Sequence, residues 1–224
     1  MKTRVLVVDD HPILREGVAT LVNQQPDLVM CGEAEDTPQA LQAIQRLRPD
    51  VVLMDITLKN GNGIELINEI RDVFPSLPVL VLSFHDESLF AARAVKAGAQ
   101  GYIMKQESGA NLIAALRQII RGEVYLNKNL ISKVSEHFSS GGDDPNRLLI
   151  DSLSDRELEV FQLLGHGKST RQIASDLGLS GKTIEAYRRT LKKKLHIKER
   201  TGLMRFAVQW LESEKNLVTE EMPT

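Results

Sequence analysis

The sequence has few of the residues and segments that define several classes of protein. It contains one cysteine, Cys31, which excludes an internal disulfide framework and metal sites built from several thiolates. Apolar runs stay well short of the roughly 18 to 20 residues that a membrane-spanning helix needs, and the N-terminus has no signal-peptide core. The five histidines show no metal-ligand spacing, which argues against a metal-centred hydrolase. We therefore expect a soluble, cytoplasmic protein without membrane contact.

The net charge of −2 conceals two halves of opposite sign. Residues 1–124 contain 12 Lys and Arg against 16 Asp and Glu, a net charge of −4. Residues 152–211 contain 12 against 6, a net charge of +6. At 224 residues the chain suits one large domain or two ordinary ones. The basic half suggests contact with nucleic acid, although the two halves could also simply attract each other.

In the first half, short apolar runs alternate with amphipathic helical segments. The runs predict five strands, at residues 4–8, 29–34, 51–55, 79–82 and 101–104. The segments predict five helices, at residues 11–22, 37–47, 63–73, 88–97 and 109–121. In the first helix, Ile13, Leu14 and Val18 are at helical spacing. This alternation predicts an α/β fold with a doubly wound five-stranded parallel sheet in the flavodoxin-like order 2-1-3-4-5.

Polar residues follow four of these strands. The order 2-1-3-4-5 brings their carboxyl ends to one edge of the sheet. The residues are Asp9, Asp10, Asp55, Ser83 and Lys105. Three carboxylates repel one another, and a hard cation such as Mg²⁺ suits a carboxylate cluster without Cys or His. With a lysine to hold a phosphoryl oxygen and Asp55 as nucleophile, these are the parts needed to form an aspartyl phosphate. A solvated acidic rim is the alternative.

This pattern resembles the receiver domain of bacterial two-component response regulators, from residue 2 to about residue 122. The resemblance implies that Asp55 accepts a phosphoryl group from a sensor histidine kinase, a phosphotransfer protein or a small phosphodonor. It also implies Mg²⁺ as cofactor. The implied ligands are Asp9, Asp10, Asp55 and the backbone carbonyl of Thr57.

The resemblance further implies a switch pair, in which the Ser83 hydroxyl turns toward the phosphoryl group and the Tyr102 ring follows inward. An ordinary half-buried aromatic is the alternative for Tyr102. Lys59 stands where many receivers have Pro, which leaves the kinetics of phosphorylation open. Thr57 and His85 occupy positions that tune dephosphorylation in receivers, although His85 could be a plain surface histidine.

Residues 123–151 break the alternation and predict a linker. Leu130, Ile131 and Val134 suggest one short helix, and residues 139–145 have the composition of a flexible connection. We therefore predict a receiver at residues 1–122 and a second domain at residues 152–212. An acidic tail at residues 213–224 is expected to fray.

The second half predicts a small all-α domain of four helices. Ser154 with Glu157, and Ser169 with Gln172, form capping-box patterns at the starts of the first two. Ser180 caps the third helix, from Gly181 to Leu195, and Gly178 ends the second. The fourth helix is predicted from Thr201 to Leu211.

The third of these helices has an apolar face and a basic face, and a tight turn joins it to the preceding helix. This arrangement predicts a helix-turn-helix, the alternative being a solvated basic helix. The apolar positions are Ile184, Tyr187, Leu191 and Leu195. The segment from Leu153 to Leu195 resembles the LuxR-type DNA-binding domain, and the whole chain resembles a NarL/FixJ-type response regulator.

The resemblance implies that this helix enters the major groove of DNA as a recognition helix. Residues expected at base edges are Glu185, Ala186 and Arg189. Residues expected at phosphates are Lys182, Thr183, Arg188, Lys192 and Lys193. The family often has a basic or neutral residue in place of Glu185 and His in place of Tyr187, so the base preference cannot be transferred from relatives.

The leading hypothesis is a DNA-binding transcription regulator, not an enzyme, that phosphorylation of Asp55 switches and that dimerises on phosphorylation or on DNA. The serious alternative is a constitutive DNA-binding regulator whose receiver is silent or serves only dimerisation. A phosphatase would need a second carboxylate where Thr57 stands. A flavin or nucleotide module lacks its Gly-rich loop, because Asp10, His11 and Pro12 follow the first strand.

Overall fold

The computed structural model describes residues 2–58, 61–83, 87–127, 130–131, 145–199 and 201–219. Lys59, His85 and linker residues 132–144 lie outside these ranges, and so do the predictions made for them. The chain divides into two units, Met1–Gly141 and Gly142–Thr224.

The first unit is an α/β domain. Its strands are β1 (Thr3–Val8), β2 (Leu28–Ala34), β3 (Val51–Met54), β4 (Thr57–Leu58), β5 (Gly61–Asn62), β6 (Val79–Ser83) and β7 (Gly101–Met104). Its helices are α1 (Pro12–Asn23), α2 (Thr37–Leu47), α3 (Gly63–Val73), α4 (Glu87–Ala97) and α5 (Gly109–Ile120).

Five of the strands form one parallel sheet in the order β2-β1-β3-β6-β7, which confirms the predicted order of the main strands. β3 is central, and each of its four residues is 0% exposed, as expected for a strand with both faces covered. The short antiparallel hairpin of β4 and β5 was not predicted. Strands of two residues carry no periodicity from which to predict them.

The apolar stripe predicted for α1 is wrong at one position. Val18 and Val22 are buried, whereas Ile13 is 86% exposed. Ile13 and Val18 are five positions apart, which at 3.6 residues per turn places Ile13 about 140° around the helix from the buried face.

After α5 the chain returns to the free edge of β7. Tyr102 N donates a hydrogen bond of 3.0 Å to Tyr125 O, and Tyr125 N donates one of 2.9 Å to Gln100 O. Gly101 and Tyr125 form a parallel bridge. Chain beyond Gly122 therefore still pairs with the sheet of the first unit.

The second unit is all-α. Its helices are α6 (Pro145–Asp151), α7 (Asp155–Gly165), α8 (Thr170–Asp176), α9 (Gly181–Lys194) and α10 (Gly202–Thr219). α6 lies in the segment that the sequence assigned to the linker, although Pro at a first helical position followed by apolar residues is a helix-start signal. Both predicted capping boxes form, at the starts of α7 and α8.

The four helices α7 to α10 bury a common apolar core. Leu158 and Phe161 of α7 and Leu191 of α9 are 0% exposed. The Phe161 and Phe206 rings lie 5.9 Å apart between centroids. α10 continues to Thr219, so the predicted end of this helix near Leu211 is wrong. Gly and Pro do not occur after Gly202 until Pro223, and the sequence therefore lacks a stop signal in that stretch.

Candidate functional site

The carboxyl ends of three strands place the polar residues of the first unit. Asp9 N donates to Ala34 O at 3.0 Å, and Asp55 N donates to Val8 O at 2.8 Å. Lys105 N donates to Ser83 O at 2.8 Å. Backbone hydrogen bonding thus continues one residue past the end of each strand. It fixes the backbone positions of Asp9, Asp55 and Lys105 at this edge of the sheet.

Two of the three carboxylates contact one buried ammonium group. Lys105 Nζ lies 2.6 Å from Asp55 Oδ2 and 2.7 Å from Asp9 Oδ2, and all three side chains are at most 2% exposed. Asp10, in the same cluster, is partly exposed. Three carboxylates around one lysine leave the cluster with an excess of negative charge.

The loop after β3 holds the Asp55 side chain in place. Thr57 N donates a hydrogen bond of 3.1 Å to Asp55 Oδ1. Gly63, the first residue of α3, lies so close to this loop that an added Cβ would be 2.3 Å from Asp55 O and 2.7 Å from Ile56 Cα. Gly63 N also donates to Ile56 O at 2.9 Å. The close approach of α3 therefore requires a residue without a side chain.

Burial raises the pKa of Asp55 to about 6. The positive charge of Lys105 lowers this pKa and the negative charge of Asp9 raises it, and the burial effect is the largest of the three. A bound cation would add further positive charge at this carboxylate and lower its pKa.

The cluster has the ligand atoms for a divalent cation. Four residues each offer one ligand atom, and these atoms lie within 4.8 Å of one another: Asp9, Asp10, His11 and Asp55. Lys105 Nζ lies 2.7 Å from Asp9 Oδ2, but the cluster as a whole still has more carboxylates than positive charges. Carboxylate oxygens are the ligands that Mg²⁺ prefers, so these residues fit the cofactor that receiver domains use.

His11 was missed at this site. The sequence predicted a cluster without Cys or His, and this is wrong, because His11 Nδ1 lies 3.0 Å from Asp9 Oδ1 and 2.8 Å from Asp10 Oδ1. The adjacency of Asp9, Asp10 and His11 in sequence could have suggested that His11 lies at this site. A search for pairs of histidines at metal-ligand spacing could not find it.

The proposed switch residues occupy neighbouring strands. Ser83 ends β6 and is 0% exposed, and Tyr102 in β7 is 1% exposed. Tyr102 pairs with Val81 in the register of the two strands. Tyr102 is therefore an inward-facing aromatic, not the half-buried one that the alternative supposed.

In the second unit, one face of α9 is open to solvent. Its exposed members are Lys182, Glu185, Ala186, Arg189, Thr190 and Lys193. Thr183, Tyr187, Arg188 and Lys192 are half-buried, while Ile184, Leu191 and Leu195 are buried as predicted. Thr183 N donates to Ser180 Oγ at 3.1 Å, which confirms the predicted cap.

Two residues predicted to contact DNA are bonded to α8. Thr170 Oγ1 donates to Glu185 Oε1 at 2.8 Å, and Arg188 Nη1 donates to Thr170 Oγ1 at 3.0 Å. Glu185 and Arg188 thus join α9 to the first residue of α8. The Glu185 carboxylate is engaged within the domain even though its side chain is 56% exposed.

Comparison with known families covers both units. Residues 5–117 match the response regulator receiver domain, and residues 151–207 match the bacterial regulatory proteins of the LuxR family. The chain belongs to the two-component response regulators and combines a receiver with a LuxR-type DNA-binding domain, in the NarL/LuxR family of transcription regulators. Neither matched family is a family of enzymes.

Relatives resemble the chain over most of its length. The oxygen regulatory protein NreC of Staphylococcus aureus is 30% identical over 210 residues, which cover 92% of this chain and 97% of NreC. The structure of RcsB from Salmonella enterica serovar Typhimurium, bound to promoter rprA in the presence of phosphomimetic BeF3−, is 26% identical. It covers 93% of this chain and 99% of that chain with a TM-score of 0.59.

A LuxR-family response regulator from Aurantimonas sp. SI85-9A1 is 33% identical and has a TM-score of 0.58. It covers 62% of this chain and 100% of that chain. In the part of this chain that the structure describes, no helix is long and apolar enough to span a bilayer.

Proposed function

We propose that Asp55 is the phosphoacceptor and that its phosphorylation controls DNA binding by the second unit. The observation that carries this proposal is the buried Asp55 carboxylate, which contacts Lys105 Nζ at 2.6 Å beside Asp9 and Asp10. The donor is a sensor histidine kinase, a phosphotransfer protein or a small phosphodonor. The regulator then acts on double-stranded DNA, in the cytoplasm.

In the proposed reaction an Asp55 carboxylate oxygen attacks the phosphorus of the donor. The new P–O bond forms as the bond to the donor's leaving group breaks, and from a phosphohistidine donor that group is the imidazole nitrogen. Asp9, Asp10, Asp55 and the Thr57 carbonyl would hold Mg²⁺, which supplies positive charge against phosphoryl oxygens. Lys105 Nζ adds a second positive charge at the same carboxylate.

Residues of the receiver then respond to the phosphoryl group on Asp55. The Ser83 hydroxyl turns toward the phosphoryl group, and the Tyr102 ring, which is already buried, takes the inward position of the switch. Any hydrolysis of the phosphoryl group is autodephosphorylation of the protein and is not turnover of an external substrate. Thr57 and His85 are the residues proposed to tune that rate.

For the second unit we propose that α9 enters the major groove. Ala186 and Arg189 face base edges, since Ala can contact a thymine methyl and Arg can bond guanine bidentately. Glu185 remains a candidate for a base contact, and its bond to Thr170 competes with that role. Lys182, Thr183, Arg188, Lys192 and Lys193 face phosphates. Support comes from RcsB, which binds promoter DNA in the presence of a phosphomimetic.

Sedimentation velocity with Mg²⁺, with and without beryllofluoride, tests the proposal. Beryllofluoride stands in for the phosphoryl group on Asp55, and Asp55→Asn is the matched control. We expect the wild type alone to shift from monomer to dimer and to bind DNA more tightly. Intact-mass analysis after incubation with a small phosphodonor should show one added phosphoryl group on the wild type and none on Asp55→Asn.

Two results would contradict the proposal. A dimer that is independent of beryllofluoride and of Asp55→Asn indicates the alternative regulator, whose receiver serves only dimerisation. A wild type that takes up no phosphoryl group indicates a silent receiver.

A further inference from the structure

His11 brings an imidazole nitrogen to a cluster that otherwise offers only oxygen. Its Nδ1 lies 2.8 Å from Asp10 Oδ1 and 3.0 Å from Asp9 Oδ1. Mg²⁺ takes oxygen ligands, whereas imidazole nitrogen suits the first-row transition ions. The residues present therefore suit a wider set of ions than a cluster of carboxylates alone.

The hydrogen bonds and ion pairs of the cluster do not balance its negative charge. His11 Nδ1 and Asp9 Oδ1 are placed for a hydrogen bond. Lys105 Nζ lies 2.7 Å from Asp9 Oδ2, and Asp9 as a whole is 1% exposed, so one ammonium group and one imidazole face three carboxylates in this cluster. An excess of buried negative charge is costly, and a bound cation reduces that cost.

We propose that His11 is a ligand for a divalent transition ion, such as Mn²⁺ or Co²⁺, at the site of Asp9, Asp10 and Asp55. The inference rests on the proposed function, since it uses the same carboxylates, and it adds a nitrogen ligand to them. His11 then determines metal selectivity, because a nitrogen ligand strengthens binding of Co²⁺ far more than binding of Mg²⁺, with a smaller gain for Mn²⁺.

His11 can be substituted without removing a structural contact of α1. It is the N-cap residue of α1, and its side chain makes no capping hydrogen bond. The bond of 2.8 Å from its backbone N to Asp9 Oδ1 persists in any variant other than proline. Its side chain is 52% exposed, so His11→Ala leaves no buried cavity.

The test is calorimetric titration of the full chain with Mg²⁺, Mn²⁺ and Co²⁺ at mildly alkaline pH, where imidazole groups in general are neutral. We expect His11→Ala to weaken Co²⁺ binding about tenfold or more and to change Mg²⁺ binding much less. His166→Ala is the matched control, because it removes an exposed imidazole from the other unit. His196 is unsuitable, since its φ of 54° would strain alanine.

Pulsed electron paramagnetic resonance of bound Mn²⁺ gives a direct second measurement. Coupling to a ¹⁴N nucleus is expected in the wild type and in His166→Ala, and its absence is expected in His11→Ala. Absence of nitrogen coupling in the wild type, or an unchanged ratio of Co²⁺ to Mg²⁺ affinity in His11→Ala, would overturn the inference.

The titration also separates this inference from the proposed function. If the wild type binds Mg²⁺ and is phosphorylated but His11→Ala keeps its selectivity, only the role of His11 is wrong. If no divalent ion binds to the wild type, or if Asp55→Asn binds all three ions as the wild type does, the proposed site fails as well.

Discussion

Lys105 is the residue on which the stability of the buried site depends. Its ammonium lies within 2.7 Å of carboxylate oxygens of both Asp9 and Asp55. Replacement of one member of a buried ion pair leaves its partners uncompensated, which costs about 3 to 5 kcal/mol. A single side chain therefore balances much of the charge that the sequence places at this edge of the sheet.

We predict that Lys105→Met lowers the free energy of unfolding of the first unit by about 3 to 5 kcal/mol at neutral pH without metal. Mg²⁺ should restore part of the loss, because it replaces the missing positive charge. Urea unfolding with and without Mg²⁺ measures both effects. Lys96→Met, at an exposed position of α4, is the control and should change little. Equal unfolding free energies for the two variants would contradict this account.

Glu157 makes the folding stability of the second unit depend on pH in the acidic range. Burial raises its pKa, but hydrogen bonds from Lys194 Nζ and Ser154 N, both at 2.7 Å, outweigh burial and hold the pKa below its usual value of 4.5. A folded pKa below the unfolded one means that the ionised group stabilises the fold above pH 4.5. That contribution disappears as the pH falls through the folded pKa.

We predict that Glu157→Gln lowers the free energy of unfolding of the second unit by about 1 to 2 kcal/mol at pH 7. The wild type should lose stability more steeply than the variant between about pH 5 and pH 3. Urea unfolding at a series of pH values measures the difference. Glu199→Gln, whose ion pair with Arg205 is largely exposed, should match the wild type. Parallel pH profiles for Glu157→Gln and the wild type would exclude this role.

At the scale of elements, the start of α3 fixes the loop that carries Asp55. We predict that Gly63→Ala destabilises the first unit by about 1 to 3 kcal/mol, because its Cβ would meet backbone atoms of Asp55 and Ile56. Gly17→Ala in α1, where nothing lies within 4 Å of an added Cβ, should instead stabilise by about 0.5 to 1 kcal/mol. Thermal melts of both variants check the pair. Equal effects of the two substitutions would be inconsistent with the close approach of α3.

The contact between α8 and α9 bears on how DNA sequence is read. Because Thr170 engages the Glu185 carboxylate, we predict that Glu185→Ala changes affinity for all DNA sequences by a similar factor. Arg189→Ala should instead relax the preference at one base pair, by about 1 to 3 kcal/mol. Selection of binding sites from random DNA by each variant makes the comparison. Loss of preference at a single base pair in Glu185→Ala would show that Glu185 reads a base.

At the scale of the whole molecule, sequence was sufficient for much of the structure. The order of the five main strands follows from the alternation of apolar runs and helices, and the helix starts at Ser154, Ser169 and Ser180 follow from capping chemistry. These features depend on local patterns. The place of Asp55 beside Lys105 followed as well, because parallel strands end at one edge.

Other features depend on contacts that no local pattern records. The exposure of Ile13, the approach of His11 to the carboxylates and the return of Tyr125 to β7 all arise from tertiary geometry. The length of α10 was underestimated even though a local pattern in the sequence did record it. The predicted helix end at Leu211 followed the last residue of the apolar face, whereas the absence of Gly and Pro beyond it was the stronger local signal.

The pairing of Tyr125 with β7 has a practical consequence for the isolated receiver. A fragment that ends at Arg121 would lose the acceptor for Tyr102 N and would expose β7 as an unpaired edge strand, which is prone to self-association. A fragment that ends at Asn127 would keep that edge covered. Light scattering should find the shorter fragment aggregated and the longer one monodisperse, so any receiver prepared by itself should include Tyr125.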